Sequence, residues 1–263
     1  MNTANSFAAL ESGLLRWKGG VAIVTGASGG IGETLVRRLA SLGMRVAAVA
    51  RRAEKLKQLE SGLASASGSV LAIEADLRRE SDIHRLFATV RETWGGVDLL
   101  VNNAGLGRET ALASGEPADW REMLDVNVFA LSVCCQEALK DMASKPEAQI
   151  VNISSLAGHR VPLGRDVAFY SATKHAVRAL TEGLREEMTR ARRPVRVSMI
   201  SPGLVETGFH ARSFGDPDKA QAFYQRFKPL DPDDVADALL YMLAVPPHVL
   251  VHDIVLRPLA QRG

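Results

Sequence analysis

Val21-Ala-Ile-Val-Thr-Gly26-Ala-Ser-Gly-Gly30-Ile-Gly32 decides the fold. Five residues, four of them apolar and four β-branched, predict a strand over Val21–Thr25. Apolar residues at Ile31, Leu35, Val36 and Leu39 predict a helix starting near Gly30 and running to Leu42. A glycine-rich turn between strand and helix lets backbone N–H groups approach an anion closely, and the helix presents its positive end to it. A plain glycine turn is the bland reading. The strand before and the helix after instead favour a pyrophosphate cradle made by Gly26, Ser28, Gly29, Gly30, Ile31 and Gly32.

The same strand-then-helix pattern continues along the chain. Strands are predicted at Arg45–Ala50, Val70–Ala75, Val97–Val101, Gln149–Ile153, Val195–Ser201 and His252–Leu256. Helices are predicted at about Ala53–Leu63, Ser81–Trp94, Asp119–Met142, Phe169–Arg192, Asp216–Phe227 and Asp233–Leu243. Alternation of this kind predicts a parallel sheet covered by helices on both faces. A barrel also alternates, but the glycine loop argues against it. The expectation is a single doubly wound α/β Rossmann domain over 18–263, with a mostly parallel, seven-stranded sheet in the order 3-2-1-4-5-6-7. Residues 1–17 are expected to form a poorly ordered tail, and residues 206–228 a lid over the substrate.

Composition narrows the function. The 263 residues carry a formal charge of +2, with 46% hydrophobic and 24% charged residues. This gives no field that would favour nucleic acid or an anionic membrane. No apolar run reaches the ~20 residues of a membrane span, and the N-terminus does not read as a secretory signal. The two cysteines, Cys134 and Cys135, are adjacent and build neither a disulfide framework nor a metal site. They are expected to be packing residues in a reducing, cytoplasmic setting. No metal is expected.

At the end of the second strand, an acid would hydrogen-bond the ribose 2′-OH of NAD. Here Ala50 holds that place, followed by Arg51 and Arg52. Two guanidiniums suit a 2′-phosphate, so NADP(H) is the expected cofactor, with Arg51 favoured because it directly follows the strand. A solvated helix start is the bland alternative. Tyr170 and Lys174 are four apart and share one helix face. A phenol ionises near pH 10, and a neighbouring ammonium favours its phenolate. Taken alone, the pair is more often a half-buried aromatic and a solvated lysine.

Ordered motifs then carry a resemblance. Thr25-Gly26-Ala-Ser-Gly-Gly30-Ile-Gly32 is followed by Asn102-Asn-Ala-Gly105, Asn127, Ser154-Ser155, Tyr170-Ser-Ala-Thr-Lys174, and Pro202-Gly203 with Thr207. Together they resemble the short-chain dehydrogenase/reductase family over nearly the whole chain. The resemblance implies an NADP(H)-dependent oxidoreductase, with carbonyl reductase chemistry, moving a hydride between the nicotinamide and a ketone or secondary alcohol. It implies Tyr170 as general acid and base, with Lys174 lowering its pKa and holding the ribose. Ser155 would orient the substrate oxygen (Ser154 being the alternative), and Asn127 would hold a water on the proton path. It also implies that Asn103, Ala104 and Gly105 line the adenosine site. Asp76, beside Leu77, would contact adenine, or else serve as a plain cap. Pro202, Gly203, Val205 and Thr207 would hold the carboxamide.

The loop His159–Ala168 is expected to border an apolar substrate, together with the aromatic lid, which equally reads as a helix packed on the core. His159 and His210 read as loop histidines. The resemblance implies that the long helices Asp119–Met142 and Phe169–Arg192 pair across subunits into a homo-oligomer, a homotetramer in preference to a homodimer, whereas a broadly apolar helix also suits burial inside the monomer. A retired cofactor-binding sensor and a nucleotide-sugar epimerase are the competing readings. The first has no need of all four catalytic residues, and the second needs a larger C-terminal region.

Overall fold

A computed structural model describes residues 10–163 and 165–261. Val21–Thr25 (β1) pairs in parallel with Arg45–Ala50 (β2) on one side and with Leu99–Asn102 (β4) on the other. Ser69–Glu74 (β3) joins β2. Ala148–Ile153 (β5), Val195–Pro202 (β6) and Asp253–Leu256 (β7) extend the other side. The sheet has seven strands in the expected order, β3-β2-β1-β4-β5-β6-β7, and every pair is parallel. The order reverses beside β1, which opens a crevice at the carboxyl ends of β1 and β4.

Side-chain alternation along β1 builds two cores. Val21 and Ile23 face one side, among Ile83, Leu86, Phe87 and Val90 of Glu80–Trp94 (α3). Ala22 and Val24 face the other, among Leu35 and Leu39 of Gly30–Ser41 (α1) and Leu239 and Met242 of Pro232–Ala244 (α9). Ala53–Gly62 (α2) covers β2 and β3. All five residues of β1 are buried, as a strand covered on both faces requires. Each fully buried aliphatic side chain of this kind contributes roughly 1.5–3 kcal/mol.

β4, the first long helix and the lid differ from the expected elements. β4 begins at Leu99 and not at Val97, because the Val97 amide is taken by the Asp141 carboxylate at 3.2 Å. The long helix expected over Asp119–Met142 is three pieces: Pro117–Leu124 (α4), a π-helical stretch Asp125–Ala130, and Leu131–Met142 (α5). The wider π turn carries Asn127, whose side chain bonds across to a neighbouring loop. Ala168–Arg190 (α6) follows a short 3₁₀ turn, Leu156–Gly158. The lid region holds two short helices, Phe209–Phe214 (α7) and Pro217–Tyr224 (α8), separated by Gly215 in the left-handed conformation at φ 67°.

The expected tail lies outside the described residues over 1–9. Residues 10–15 are helical, and Trp17 is buried, its indole N–H donating to the Leu243 carbonyl at 3.1 Å. No helix among the described residues is long and apolar enough to cross a membrane.

Candidate active site

The glycine loop is pressed against the segment that follows β4. The Thr25 hydroxyl accepts from the amides of Asn103 (3.0 Å) and Ala104 (2.9 Å), and the Asn103 amide side chain donates to the Thr25 carbonyl at 2.8 Å. A Cβ on Gly26, whose φ is 69°, would lie 2.9 Å from the Ala104 Cα, and one on Gly32 would lie 2.4 Å from the Gly26 carbonyl oxygen. Only glycine fits these positions. The N-cap of α1, Gly29, has no capping side chain, so the first amides of the helix face the cleft without a side-chain acceptor. The cleft measures about 1310 Å³. The bare amides, the close backbone and the bordering guanidiniums fit an elongated dianionic cofactor.

Arg52 is the guanidinium tied to this loop. Its Nε donates to the Ser28 hydroxyl at 3.0 Å and its Nη2 to the Ser28 carbonyl at 2.8 Å. Arg51, the residue favoured from sequence, is exposed and borders the same cleft. Sequence reading missed Arg212 on α7. Its pKa is lowered, by partial burial first and then by the like charges of Arg52 and Arg51. Asp76 is engaged by Arg78, which binds its carboxylate at 2.6–3.1 Å and holds its pKa below the usual carboxylate range. The Asp76 side chain thus works as a cap and ion-pair partner, while Leu77 lies buried beside it.

The 3₁₀ turn and α6 bring Ser155 and Tyr170 together. The Ser155 hydroxyl is oriented by accepting from the Ala157 amide at 3.1 Å and faces the Tyr170 phenol closely enough to favour its ionised form. The neighbouring Ser154 is buried and donates to the Lys174 carbonyl at 3.2 Å. Burial pushes the Tyr170 phenol up to about 12, opposed by the nearby Ser155 hydroxyl and by the charge of Arg165. Lys174 is buried, donates to the Ile153 carbonyl at 2.9 Å, and is pushed down to about 8 by burial. Its Nζ lies 6.0 Å from the centre of the Tyr170 ring. In this arrangement the lysine is near the phenol without bonding it, and the acidification expected from the pair is not expressed by the side chains alone.

Asn127 is fully engaged. Its Oδ1 accepts from the Leu106 amide at 2.9 Å, and its Nδ2 donates to the Leu106 carbonyl (2.8 Å) and the Thr173 hydroxyl (3.0 Å). It flanks Gly105 together with Lys174. Pro202 ends β6, and Gly203 donates to the Leu256 carbonyl at 2.7 Å. Val205 forms a parallel bridge with Leu230. The Thr207 hydroxyl accepts from the Phe209 amide at 3.2 Å, and Thr207 packs where a Cβ on Gly30 would fall.

The lid is clamped over this floor by groups that sequence reading did not single out. Arg165 lies over the rings of Phe214 (5.2 Å) and Phe223 (4.9 Å) and bonds Glu109 at 3.3 Å. Lys219 reaches the same carboxylate at 2.6 Å. Burial raises the Glu109 pKa, but the bonds and charges of Lys219 and Arg165 outweigh it and leave it lowered. His159 contacts Ser201 (3.0 Å) and Asp253 (3.3 Å), which ties its loop to β6 and β7. Cys134 and Cys135 are buried, with thiol pKa values pushed up by burial.

A glycine loop at the switch point, with a serine–tyrosine pair and a buried lysine in the same cleft, invites comparison with known proteins. The model of the short chain dehydrogenase family matches residues 20–218. The chain belongs to this family. It is 46% identical over 251 residues to dehydrogenase/reductase SDR family member 11 of Bos taurus, covering 94% of this chain and 98% of that protein. It is 39% identical over 250 residues to farnesol dehydrogenase of Aedes aegypti, covering 94% and 99%. Among solved structures, the closed form of serine dehydrogenase complexed with NADP+ superposes with a TM-score of 0.85 at 32% identity, covering 92% of this chain and 96% of that one. This short-chain dehydrogenase is thus an oxidoreductase of the Rossmann type, and its cleft is the place where such folds hold a nicotinamide dinucleotide.

Proposed function

We propose that the protein is an NADP(H)-dependent oxidoreductase acting on a ketone or its secondary alcohol. The observation that carries this reading is the Ser155–Tyr170 hydroxyl pair above buried Lys174, in one cleft with the glycine loop. NADP(H), when bound, supplies or accepts the hydride. Gly26, Ser28, Gly29, Gly30, Ile31 and Gly32 offer backbone to its pyrophosphate, and Arg52, with Arg51 beside it, takes the 2′-phosphate. Lys174 would hold the nicotinamide ribose, and Pro202, Gly203, Val205 and Thr207 would hold the carboxamide.

Ser155 donates a hydrogen bond to the carbonyl oxygen and fixes its position. Tyr170 Oη gives that oxygen a proton during reduction and takes it back during oxidation. A phenol held protonated at neutral pH is ready for reduction. For oxidation, the ammonium of Lys174 and a cationic ring must favour the phenolate. Asn127 braces the loop at Leu106 beside Lys174, where a water can continue the proton path. Leu156, Phe209, Phe223 and Phe227 on the walls suit an apolar substrate. Exposed Leu124, Phe129 and Leu180, on α4, the π stretch and α6, suit pairing of these helices in a homo-oligomer, a tetramer in preference to a dimer. Two free buried cysteines suit the cytoplasm.

Tyr170→Phe tests the assignment. It is expected to reduce turnover of ketones by at least about 10³-fold while fluorescence titration shows NADPH binding unchanged. Normal turnover in that variant refutes the role given to the phenol.

A further inference from the structure

His210, on α7, sits in a cage of aromatic rings. Its centroid lies 5.1 Å from Phe223, 5.4 Å from Phe209 and Tyr224, and 5.6 Å from Phe214. The Tyr224 hydroxyl fixes the tautomer. That hydroxyl has one proton, and it is donated to the Thr207 carbonyl at 2.6 Å. Toward His210 Nδ1, at 3.1 Å, its oxygen is therefore the acceptor, as it is for the Thr207 amide at 3.3 Å. Nδ1 carries the ring proton, and Nε2 presents a lone pair.

Among the described residues, none donates to Nε2, and it is not one of the buried polar atoms sealed away without a partner. His210 forms part of the cleft wall, and Nε2 is the ring nitrogen left without a partner among the described residues, the one available to an occupant of the cleft. Burial first, and then the charge of Arg165, push the imidazole pKa down to about 4, with Glu109 opposing. The ring stays neutral near pH 7 and keeps its lone pair.

We propose that His210 Nε2 is a fixed hydrogen-bond acceptor for the substrate, so that the preferred ketone carries a second, neutral hydroxyl group. This rests on the ketone/alcohol reading of the same cleft. An ammonium donor is disfavoured, because Arg160, Arg165 and Arg226 border the cleft. Phe209 sets the spacing. Its ring centre lies 5.7 Å from that of Tyr170 and 5.4 Å from that of His210, so one aromatic ring separates the imidazole from the phenol ring. The hydroxyl therefore belongs across a ring-sized apolar spacer from the reacting oxygen.

Cyclohexanone and 4-hydroxycyclohexanone, with saturating NADPH, form the test pair. One neutral hydrogen bond predicts a KM about three- to tenfold lower for the hydroxyketone, with similar kcat. His210→Phe, which keeps the aromatic cage filled, is expected to erase that ratio. If this variant does not fold, Tyr224→Phe serves instead. It releases the tautomer and should shrink the ratio. A ratio unchanged in the folded variant overturns the proposal.

Nitrogen-15 spectra of the imidazole give a reading independent of turnover. The Nδ1–H form is expected, with the Nε2 resonance moving when 4-hydroxycyclohexanol and NADP+ are added and not when cyclohexanol replaces it. An Nε2–H form, or an equal response to both alcohols, overturns the proposal. If the wild type reduces neither ketone, the ketone/alcohol reading fails, and the spectra still decide the role of His210.

Discussion

The ammonium of Lys174 donates to the carbonyl oxygen of Ile153 at 2.9 Å, deep in the cleft, and no carboxylate among the described residues bonds it. A buried cation balanced only by a carbonyl dipole destabilises the fold. Its pKa of about 8, against 10.5 for an ordinary lysine, expresses that cost, on the order of 3 kcal/mol. Lys174→Met is expected to raise the thermal midpoint by several degrees without added cofactor, while turnover is lost. The sign follows from linkage. Below pH 8 both folded and unfolded chains are protonated and the cost is complete. Between pH 8 and 10.5 the folded chain has lost its proton and the unfolded chain has not, so the cost fades. The stability gain of the variant should shrink over that window. A constant gain from pH 7 to 11 contradicts this account.

Cofactor choice rests on two adjacent guanidiniums with unequal anchoring. Arg52 is held on Ser28 by two hydrogen bonds, whereas Arg51, exposed at the rim, has no hydrogen-bond partner among the described residues. A charge-assisted contact to a 2′-phosphate is worth about 1.5–3 kcal/mol, roughly 10- to 100-fold in affinity. Arg52→Ala is expected to weaken NADPH binding by that factor and NADH by much less, and Arg51→Ala to act in the same direction with a smaller effect. Calorimetric titration with both cofactors checks this. Equal losses for the two cofactors in both variants exclude a 2′-phosphate contact.

The lid is closed by a carboxylate with two cations. Glu109 bonds Arg165 and Lys219, and both cations also lie over the Phe214 ring. Glu109→Gln keeps the shape and removes the charge. It is expected to raise KM for ketones several-fold with a smaller change in kcat, and to speed tryptic cleavage at Arg212, Lys219 or Arg226. The carboxyl pKa is lowered in the fold, so the latch is complete above the ordinary carboxylate value of about 4.5 and is lost as pH falls through the lowered value. Unaltered proteolysis in the variant means that the lid is held by its aromatic contacts alone.

Legibility tracked the range of the interaction. β1 and β2 match their expected bounds because buried runs and adjacent turn residues are local signals. The glycine loop was legible for the same reason. The choice between Ser154 and Ser155 turns on where each hydroxyl points, and only coordinates place Ser154 on the Lys174 carbonyl. Periodicity did not reveal the π turn at Asp125–Ala130, since one extra residue per turn hardly disturbs an apolar pattern. Asn127, polar and inside a helix, was its only trace. The Glu109 latch joins residues 56 and 110 positions apart and leaves no pattern in sequence. His210 looked like a loop residue because its meaning depends on Tyr224, fourteen residues on and one helix away.

The N-terminal segment was expected to contribute little, and its contacts predict otherwise. Gly13 lies so close to α9 that a Cβ would fall 1.8 Å from the Ala244 carbonyl oxygen. Backbone on both sides leaves no flexible group to yield, so Gly13→Ala must push the segment away. That displacement would pull Trp17 from its bond to the Leu243 carbonyl, strip the Arg196 guanidinium of the ring it lies against at 5.9 Å, and disturb the Arg16–Glu147 pair. Truncating a buried tryptophan costs about 3–5 kcal/mol. Trp17→Ala is expected to lose that much, and Gly13→Ala a substantial part of it, in urea unfolding. All these contacts lie at the end of α9 and the starts of β5 and β6, away from the glycine loop, so NADPH affinity of the folded fraction should stay the same. Wild-type stability in Gly13→Ala would mean that residues 10–17 detach without consequence and that the fold begins at β1.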